Sequence, residues 1–195
     1  LYGVYRITRA FAPLVLATQG RIVNIGSING ILSSRDLAAY SASKHAIEGF
    51  SDSLAGELAP AGVSVSIVEP GNYDSEIGTS AAKRASTPAG FADRSRFKDP
   101  IEVARVVRQA LFEPEPKRRY LVVPNAGEAD RTIRSAIQEV AQLNERHPYS
   151  YDRDTLVRML DGALAKSPPA PLQHLDSGRV LPDAGQLPFS EAVRH

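Results

Sequence analysis

The stretch from Arg21 to Gly71 most constrains the fold, because it places two short β-branched runs on either side of a long amphipathic segment. Residues 21–25 read Arg-Ile-Val-Asn-Ile, and residues 63–68 read Val-Ser-Val-Ser-Ile-Val. Such runs are typical of strands buried in a parallel sheet. Between them an apolar stripe at helical spacing predicts a helix over about residues 39–59. Strand, helix and strand in this order predict a βαβ unit.

The rest of the chain extends the same alternation of strands and helices. Residues 120–123 read Tyr-Leu-Val-Val and predict a third strand, after a helix that begins near Asp99-Pro100. The fold class expected is therefore α/β: part of a doubly wound parallel sheet, with about three strands and flanking helices. Further helices are predicted at about 1–18, 130–144 and 154–165.

Three polar side chains follow the first strand at positions where chemistry can be done. Ser27 comes directly after the strand, at the end of the sheet where open α/β folds place ligands. Tyr40 and Lys44 are four residues apart on the predicted helix, so both side chains lie on one face. A phenol transfers protons poorly at neutral pH, but a nearby ammonium favours the phenolate. The set fits proton transfer to an oxygen whose carbon gains or loses a hydride.

These residues resemble the motifs of the short-chain dehydrogenase/reductase family. The run Tyr40-Ser41-Ala42-Ser43-Lys44, a serine thirteen residues before the tyrosine, and Glu69-Pro70-Gly71 match the family in order and spacing. The resemblance implies a Rossmann-like fold, NAD or NADP as cofactor, and a small alcohol or ketone as substrate, here an apolar one. It implies Tyr40 as acid/base, Lys44 as a ligand of the nicotinamide ribose, and Ser27 as a ligand of the substrate oxygen.

The family also implies a set of cofactor contacts after the second strand. Ser75 stands where the family usually has threonine. The expected cofactor-binding residues are Tyr40, Lys44, Pro70, Gly71, Asn72, Tyr73 and Ser75, and no metal ligands are expected.

The sequence departs from the family pattern at its beginning. The family's glycine-rich Thr-Gly-x-x-x-Gly-x-Gly turn, which cradles the cofactor's pyrophosphate, does not occur in this sequence. The chain is therefore expected to correspond to the C-terminal part of such a fold and, by itself, to bind a dinucleotide weakly. The alternative hypothesis is a truncated, non-catalytic fragment that acts only through helix packing or dimerisation.

Domain organisation and partners complete the expectations. Residues 1–166 are predicted to form one domain, with a lid at about 72–98 and extra helices at about 130–165, and residues 167–195 a disordered Pro-rich tail. The net charge of +1 gives no reason to expect nucleic-acid or membrane partners, and the absence of cysteine suits the cytoplasm. By resemblance to the family, a homodimer or homotetramer is expected through helices 1–18 and 39–59.

Overall fold

The sheet is parallel and has three strands within the part of the chain that is described. The computed structural model describes residues 1–77, 80 and 97–165. The strands lie in the order β1–β2–β3, with β1 at Arg21–Ile25, β2 at Ser64–Pro70 and β3 at Arg119–Val122. The predicted α/β class is confirmed, and each predicted strand is present with its ends shifted by two residues at most.

The helices follow the predicted order, and one of them starts earlier than predicted. Their bounds are α1 Tyr2–Ala17, α2 Ala38–Leu58, α3 Ile101–Phe112, α4 Ala126–Leu143 and α5 Arg153–Ala165. Helix α1 continues through Pro13, although a proline removes one backbone hydrogen bond. In the described residues no helix has both the length and the apolar character needed to cross a membrane.

The predicted start of α4 near residue 130 is wrong, because Asn125 caps the helix and it begins at Ala126. The side chain of Asn125 accepts a hydrogen bond from the backbone N–H of Glu128 at 2.9 Å. This bond satisfies one of the free N–H groups at the helix N-terminus and therefore stabilises it there. The side-chain Nδ2 of Asn125 in turn donates to Oε1 of Glu128 at 3.2 Å, which fixes the capping side chain.

Helices cover both faces of the sheet, as expected for a doubly wound fold. Val65 and Val68 of β2 are an odd number of positions apart, so their side chains point to opposite faces. Val65 packs with Leu54 and Leu58 of α2, and residues of α1 lie against this cluster. Val68 packs instead with Ala110 of α3 and with side chains of β3.

Both ends of the sheet are tied to the segments around them. At the amino end of β1 the side chain of Arg21 donates to the carbonyl oxygen of Glu113, just after α3, at 2.5 Å. Beyond the carboxyl end of β2, Tyr73 forms a parallel bridge with Lys98, and Asp74 N donates to Lys98 O at 2.8 Å. The segment just before α3 therefore lies beside the segment that follows β2. The predicted lid, apart from these ends, and the predicted tail lie largely outside the described residues.

We expect Ile67→Ala to destabilise the fold, because Ile67 is fully buried in the central strand β2. Loss of a buried aliphatic side chain lowers the free energy of unfolding by about 2–5 kcal/mol. Urea denaturation measures the change. The matched variant Ile133→Ala removes a half-exposed side chain on α4 and should change it by no more than about 0.5 kcal/mol. Equal effects of the two variants would contradict this assignment of the core.

Candidate active site

One pocket at the carboxyl ends of β1 and β2 brings together all the residues predicted to act on substrate or cofactor. Its volume is about 250 Å³. The predicted residues that line it are Ser27, Tyr40, Lys44, Pro70, Gly71, Asn72, Tyr73 and Ser75. Their convergence follows from the parallel pairing of the strands, since Ile25 lies opposite Val68 and the chain segments that follow both strands leave the sheet on one side. The roles of the individual residues stay predictions.

Lys44 is anchored on the end of β1. Its Nζ donates to the carbonyl oxygens of Ile25 at 3.0 Å and of Gly26 at 2.9 Å. An ammonium has three donors, so one remains for another partner. Nζ also lies 5.8 Å from the centre of the Tyr40 ring. Burial lowers the pKa of Lys44, and the nearby Glu48 partly opposes that effect.

Ser27 is held by the short turn that follows β1. Its side chain is buried, and its Oγ accepts a hydrogen bond from the backbone N–H of Asn29 at 3.2 Å. This bond caps a turn of 3₁₀ helix at Ile28–Gly30. Because Oγ acts there as acceptor, its hydroxyl proton remains available to donate to an oxygen in the pocket.

The turn after β2 requires glycine at position 71. The N–H of Gly71 donates to the carbonyl oxygen of Val122 at 2.7 Å, which is a bond between the sheet's neighbouring strand ends. A Cβ at Gly71 would overlap Oε2 of Glu128 and would lie 3.0 Å from a methyl carbon of Val123. The next N–H, of Asn72, donates to the same Glu128 oxygen at 2.8 Å. Pro70, Gly71 and the Glu128 carboxylate therefore define the shape of one wall of the pocket, which residues 70–73 form.

Tyr73 completes the wall from the other side. It is buried, and its hydroxyl donates to Oε2 of Glu102 on α3 at 2.6 Å. Burial, together with the carboxylate of Glu102, raises the pKa of Tyr73 well above its usual value. The phenol of Tyr73 therefore stays protonated at neutral pH and serves as a fixed hydrogen-bond donor rather than an acid/base.

The remainder of the pocket is mostly aliphatic. Ile28, Ile77 and Val103 contribute side chains, with Pro100 and Asn29 beside them. Among the described residues that line the pocket, Lys44 bears the only charge. The lining therefore suits an apolar substrate body beside a small group of hydrogen-bonding side chains.

A pair of buried carboxyl groups, which the sequence patterns did not reveal, lies behind the site. Glu48 on α2 and Glu69 on β2 are both within 3.4 Å of Nε of Arg119. Burial, and after it the proximity of Glu48, raise the pKa of Glu69 to about 8 against the opposing effect of Arg119. Burial also raises the pKa of Glu48. At neutral pH the pair therefore retains a proton.

Glu48 packs directly under the segment that bears Ser27. A Cβ at Gly30 would lie 2.7 Å from Oε1 of Glu48, and one at Gly26 would lie 3.0 Å from the same atom. Two signals could have pointed to the pair. Glu48 is four residues after Lys44 on the helix, and Glu69 is an acidic residue at the end of an otherwise apolar strand.

Comparison with known proteins gives the same family that the motifs indicate. Residues 1–86 match the family model described as short chain dehydrogenase. The mitochondrial D-beta-hydroxybutyrate dehydrogenase of Mus musculus is 30% identical over 156 residues, which are 77% of this chain and 44% of that protein. The chain thus spans less than half the length of this relative.

Two solved structures share the fold. A short-chain dehydrogenase from Streptomyces avermitilis is 25% identical, with a TM-score of 0.55 over 86% of this chain and 60% of its own. A short chain dehydrogenase from Burkholderia cenocepacia J2315, solved in complex with NADP, is also 25% identical, with a TM-score of 0.54. That alignment covers 74% of this chain and 55% of the other. The sheet and its flanking helices therefore belong to a larger α/β architecture in these proteins.

We expect the buried pair to make stability depend on pH. The pKa of Glu69 is about 8 in the folded protein, against an ordinary value of 4.5. The folded state thus holds a proton that the unfolded chain releases, and the free energy of unfolding should fall as pH rises from 4.5 to about 8. Glu69→Gln keeps the shape without the titration and should flatten this slope in urea denaturation.

The exposed Glu57 of α2 supplies the control for this experiment. Glu57→Gln removes a carboxyl group from the same layer of the fold and should leave the pH dependence of stability unchanged. Above pH 8 the Glu69→Gln protein should be more stable than the unsubstituted protein, since it buries no charge there. A Glu69→Gln protein with the original slope would show that another group binds the proton.

Proposed function

The chain belongs to the short-chain dehydrogenase/reductase family through its residues 1–86, and we propose that the whole protein is a nicotinamide-dependent oxidoreductase that interconverts a secondary alcohol and a ketone. The observation that supports this most directly is the single pocket lined by Ser27, Tyr40 and Lys44. These residues supply a proton donor, a phenol and an ammonium at the carboxyl end of a parallel sheet, where α/β folds bind ligands.

The three side chains divide the proton chemistry between them. In the direction of oxidation, Tyr40 Oη as phenolate takes the hydroxyl proton of the alcohol while the carbinol carbon loses a hydride. In the reverse direction the phenol returns the proton to the ketone oxygen. Ser27 donates a hydrogen bond to that oxygen, and Lys44 holds its positive charge 5.8 Å from the centre of the Tyr40 ring.

The residues fit a nicotinamide nucleoside. Two of the three Nζ donors of Lys44 are bound to the carbonyl oxygens of Ile25 and Gly26, which leaves one for a ribose hydroxyl. The N–H groups of Gly71, Asn72 and Asp74 are bound elsewhere, so the segment from Gly71 to Ser75 offers a carboxamide its carbonyl oxygens and the Ser75 hydroxyl. When bound, the cofactor accepts or supplies the hydride. The similar protein from Burkholderia cenocepacia was solved with NADP; for this chain NAD and NADP are both proposed.

The proposed substrate is an apolar secondary alcohol or its ketone. Aliphatic side chains form the wall opposite the polar groups, and the described lining offers no cation for a substrate carboxylate besides Lys44. A similar protein of mouse is named for D-beta-hydroxybutyrate, an anionic substrate. A comparison of 3-hydroxybutyrate with uncharged aliphatic ketones and alcohols therefore tests the substrate class, and the uncharged compounds should give the higher kcat/KM.

Tyr40→Phe tests the mechanism, because it removes the transferable proton and keeps the ring. Turnover of the preferred substrate, followed by NADH or NADPH absorbance, should fall by about 10²-fold or more. Thermal unfolding should be unchanged. Tyr149→Phe is the matched control, since its ring is 81% exposed on the surface, and it should retain full turnover.

Two results would count against the proposal. Turnover by the Tyr40→Phe protein close to that of the unsubstituted protein would remove Tyr40 from the proton transfer. No turnover by the unsubstituted protein with any compound of the panel and either cofactor would favour the alternative in which the chain acts only through packing.

We also propose that the protein self-associates through α1 and α2. Ile7, Phe11 and Leu14 of α1 are each more than half exposed. On α2, Gly49 and Gly56 are seven positions apart and thus lie on one face, and a Cβ at either would meet nothing within 4 Å. Ala55 does not belong to this face, because it is buried in the core. The small exposed positions would let two helices approach closely about a two-fold axis.

Gly56→Arg should convert the assembly to monomers, because a long side chain on this face prevents the close approach of two helices. Gly162→Arg is the matched control: that glycine also has free space at its Cβ but lies on α5. Light scattering measures the mass of each protein. A monomeric mass for the unsubstituted protein, or a dimeric mass for Gly56→Arg, would contradict the proposal.

A further inference from the structure

We propose that Glu128 is a positioning residue: its carboxylate, supplied by α4, fixes the backbone after β2 and thereby the wall that contacts the nicotinamide. The part that concerns the nicotinamide rests on the function proposed above. The contact with the backbone is a feature of the fold itself.

The buried side chain of Glu128 connects the start of α4 with the backbone that follows β2. The residue is 4% exposed, and both of its carboxylate oxygens have partners. Oε1 accepts from Nδ2 of Asn125 at 3.2 Å, and Oε2 accepts from the backbone N–H of Asn72 at 2.8 Å. Hydrogen bonds that involve a charged group are stronger than neutral ones, and the loss of one partner leaves the other buried and unsatisfied.

The contact begins at the residue after the last ladder bond of the sheet. The N–H groups of β2 that donate to β3 alternate along the strand, and the last of them, Gly71 N, donates to the carbonyl oxygen of Val122 at the end of β3. The N–H of Asn72 has no place in that ladder, and the side chain of Glu128 supplies its acceptor. The carboxylate thus fixes the residue that follows the sheet, in the wall of the pocket.

The close approach leaves little freedom to the wall. A Cβ on Gly71 would overlap Oε2 of Glu128, so a larger residue there would displace the carboxylate from the backbone. Tyr73 is fixed separately, by Glu102 of α3. The side chain of Glu102 is 41% exposed, whereas Glu128 is buried. Water therefore replaces the hydrogen bond from Asn72 to Glu128 less easily than the one from Tyr73 to Glu102.

The experiment compares Glu128→Ala with Glu128→Gln in the whole protein. Titrations use NADH, NADPH, and ADP-ribose or its 2′-phosphate, which lack the nicotinamide. Glu128→Ala should raise the Kd of the preferred dinucleotide by about tenfold, the scale of one hydrogen bond to a charged group. The Kd of the ADP-ribose compound should stay unchanged. Glu128→Gln keeps an acceptor for Asn72 N–H and should restore most of the affinity.

A second readout does not depend on any cofactor. The amide hydrogen of Asn72 should exchange at least about tenfold faster in Glu128→Ala than in the unsubstituted protein, since it has lost its acceptor. If Glu128→Ala does not fold, Glu128→Asp takes its place in the experiment. Its side chain is one methylene shorter, and the Asn72 amide should exchange faster in the same way. Asp130→Ala is the control, because it removes an exposed carboxylate paired with Arg134 on the same helix. It should change neither the exchange rate of the Asn72 amide nor the Kd of the dinucleotide.

Each outcome separates the positioning role from the proposed function. Equal weakening of the dinucleotide and the ADP-ribose compound would show a general structural effect and overturn the proposal, as would unchanged exchange at Asn72. An unsubstituted protein that binds neither NADH nor NADPH would overturn the proposed function. If the Asn72 amide of Glu128→Ala still exchanged faster in that case, Glu128 would fix the backbone after β2 without a role toward a cofactor.

Discussion

The site depends on strands that run in the same direction and end at the same side of the sheet. Parallel pairing places Ile25 opposite Val68, and thereby sets the turn after each strand beside the other. The carbonyl oxygens at the end of β1 are then free for a side chain, and Lys44 binds two of them. The same bonds that satisfy the strand end hold the ammonium near the ring of Tyr40. Strand pairing and the proposed proton chemistry are therefore parts of one arrangement.

Buried carboxyl groups shape the backbone around this arrangement. Burying a carboxyl group costs free energy unless it keeps a proton or gains partners. Glu69 keeps a proton, since its pKa is about 8, and Glu128 gains the N–H groups of Asn72 and Asn125. Glu48 lies under Gly26 and Gly30, where larger residues would not fit. Glu48 and Glu128 set the shape of the backbone around the pocket, because each carboxyl group lies against a glycine or a backbone N–H.

Local patterns in the sequence predicted the order of the elements, and the resemblance to the family supplied the pocket residues Asn72, Tyr73 and Ser75. The periods of two and 3.6 residues gave the strands and helices, and the four-residue spacing of Tyr40 and Lys44 gave their common face. The start of α4 differs from the predicted one because the N-cap residue Asn125 precedes the apolar stripe on which the prediction depends. The partners of Glu69 and Asn72 come from distant parts of the chain, and no local pattern reveals such contacts.

The contacts that fix the pocket wall after β2 come from beyond the segment that matches the family model. The family match covers residues 1–86, which include the proposed acid/base and the turn after β2. Glu102 and Glu128, which hold Tyr73 and Asn72 in place, lie after residue 86. A helix that follows β3 can change in length or sequence without altering the motif residues themselves. Divergence in this later region would therefore adjust the geometry of the pocket while the chemistry of Tyr40 and Lys44 stays the same.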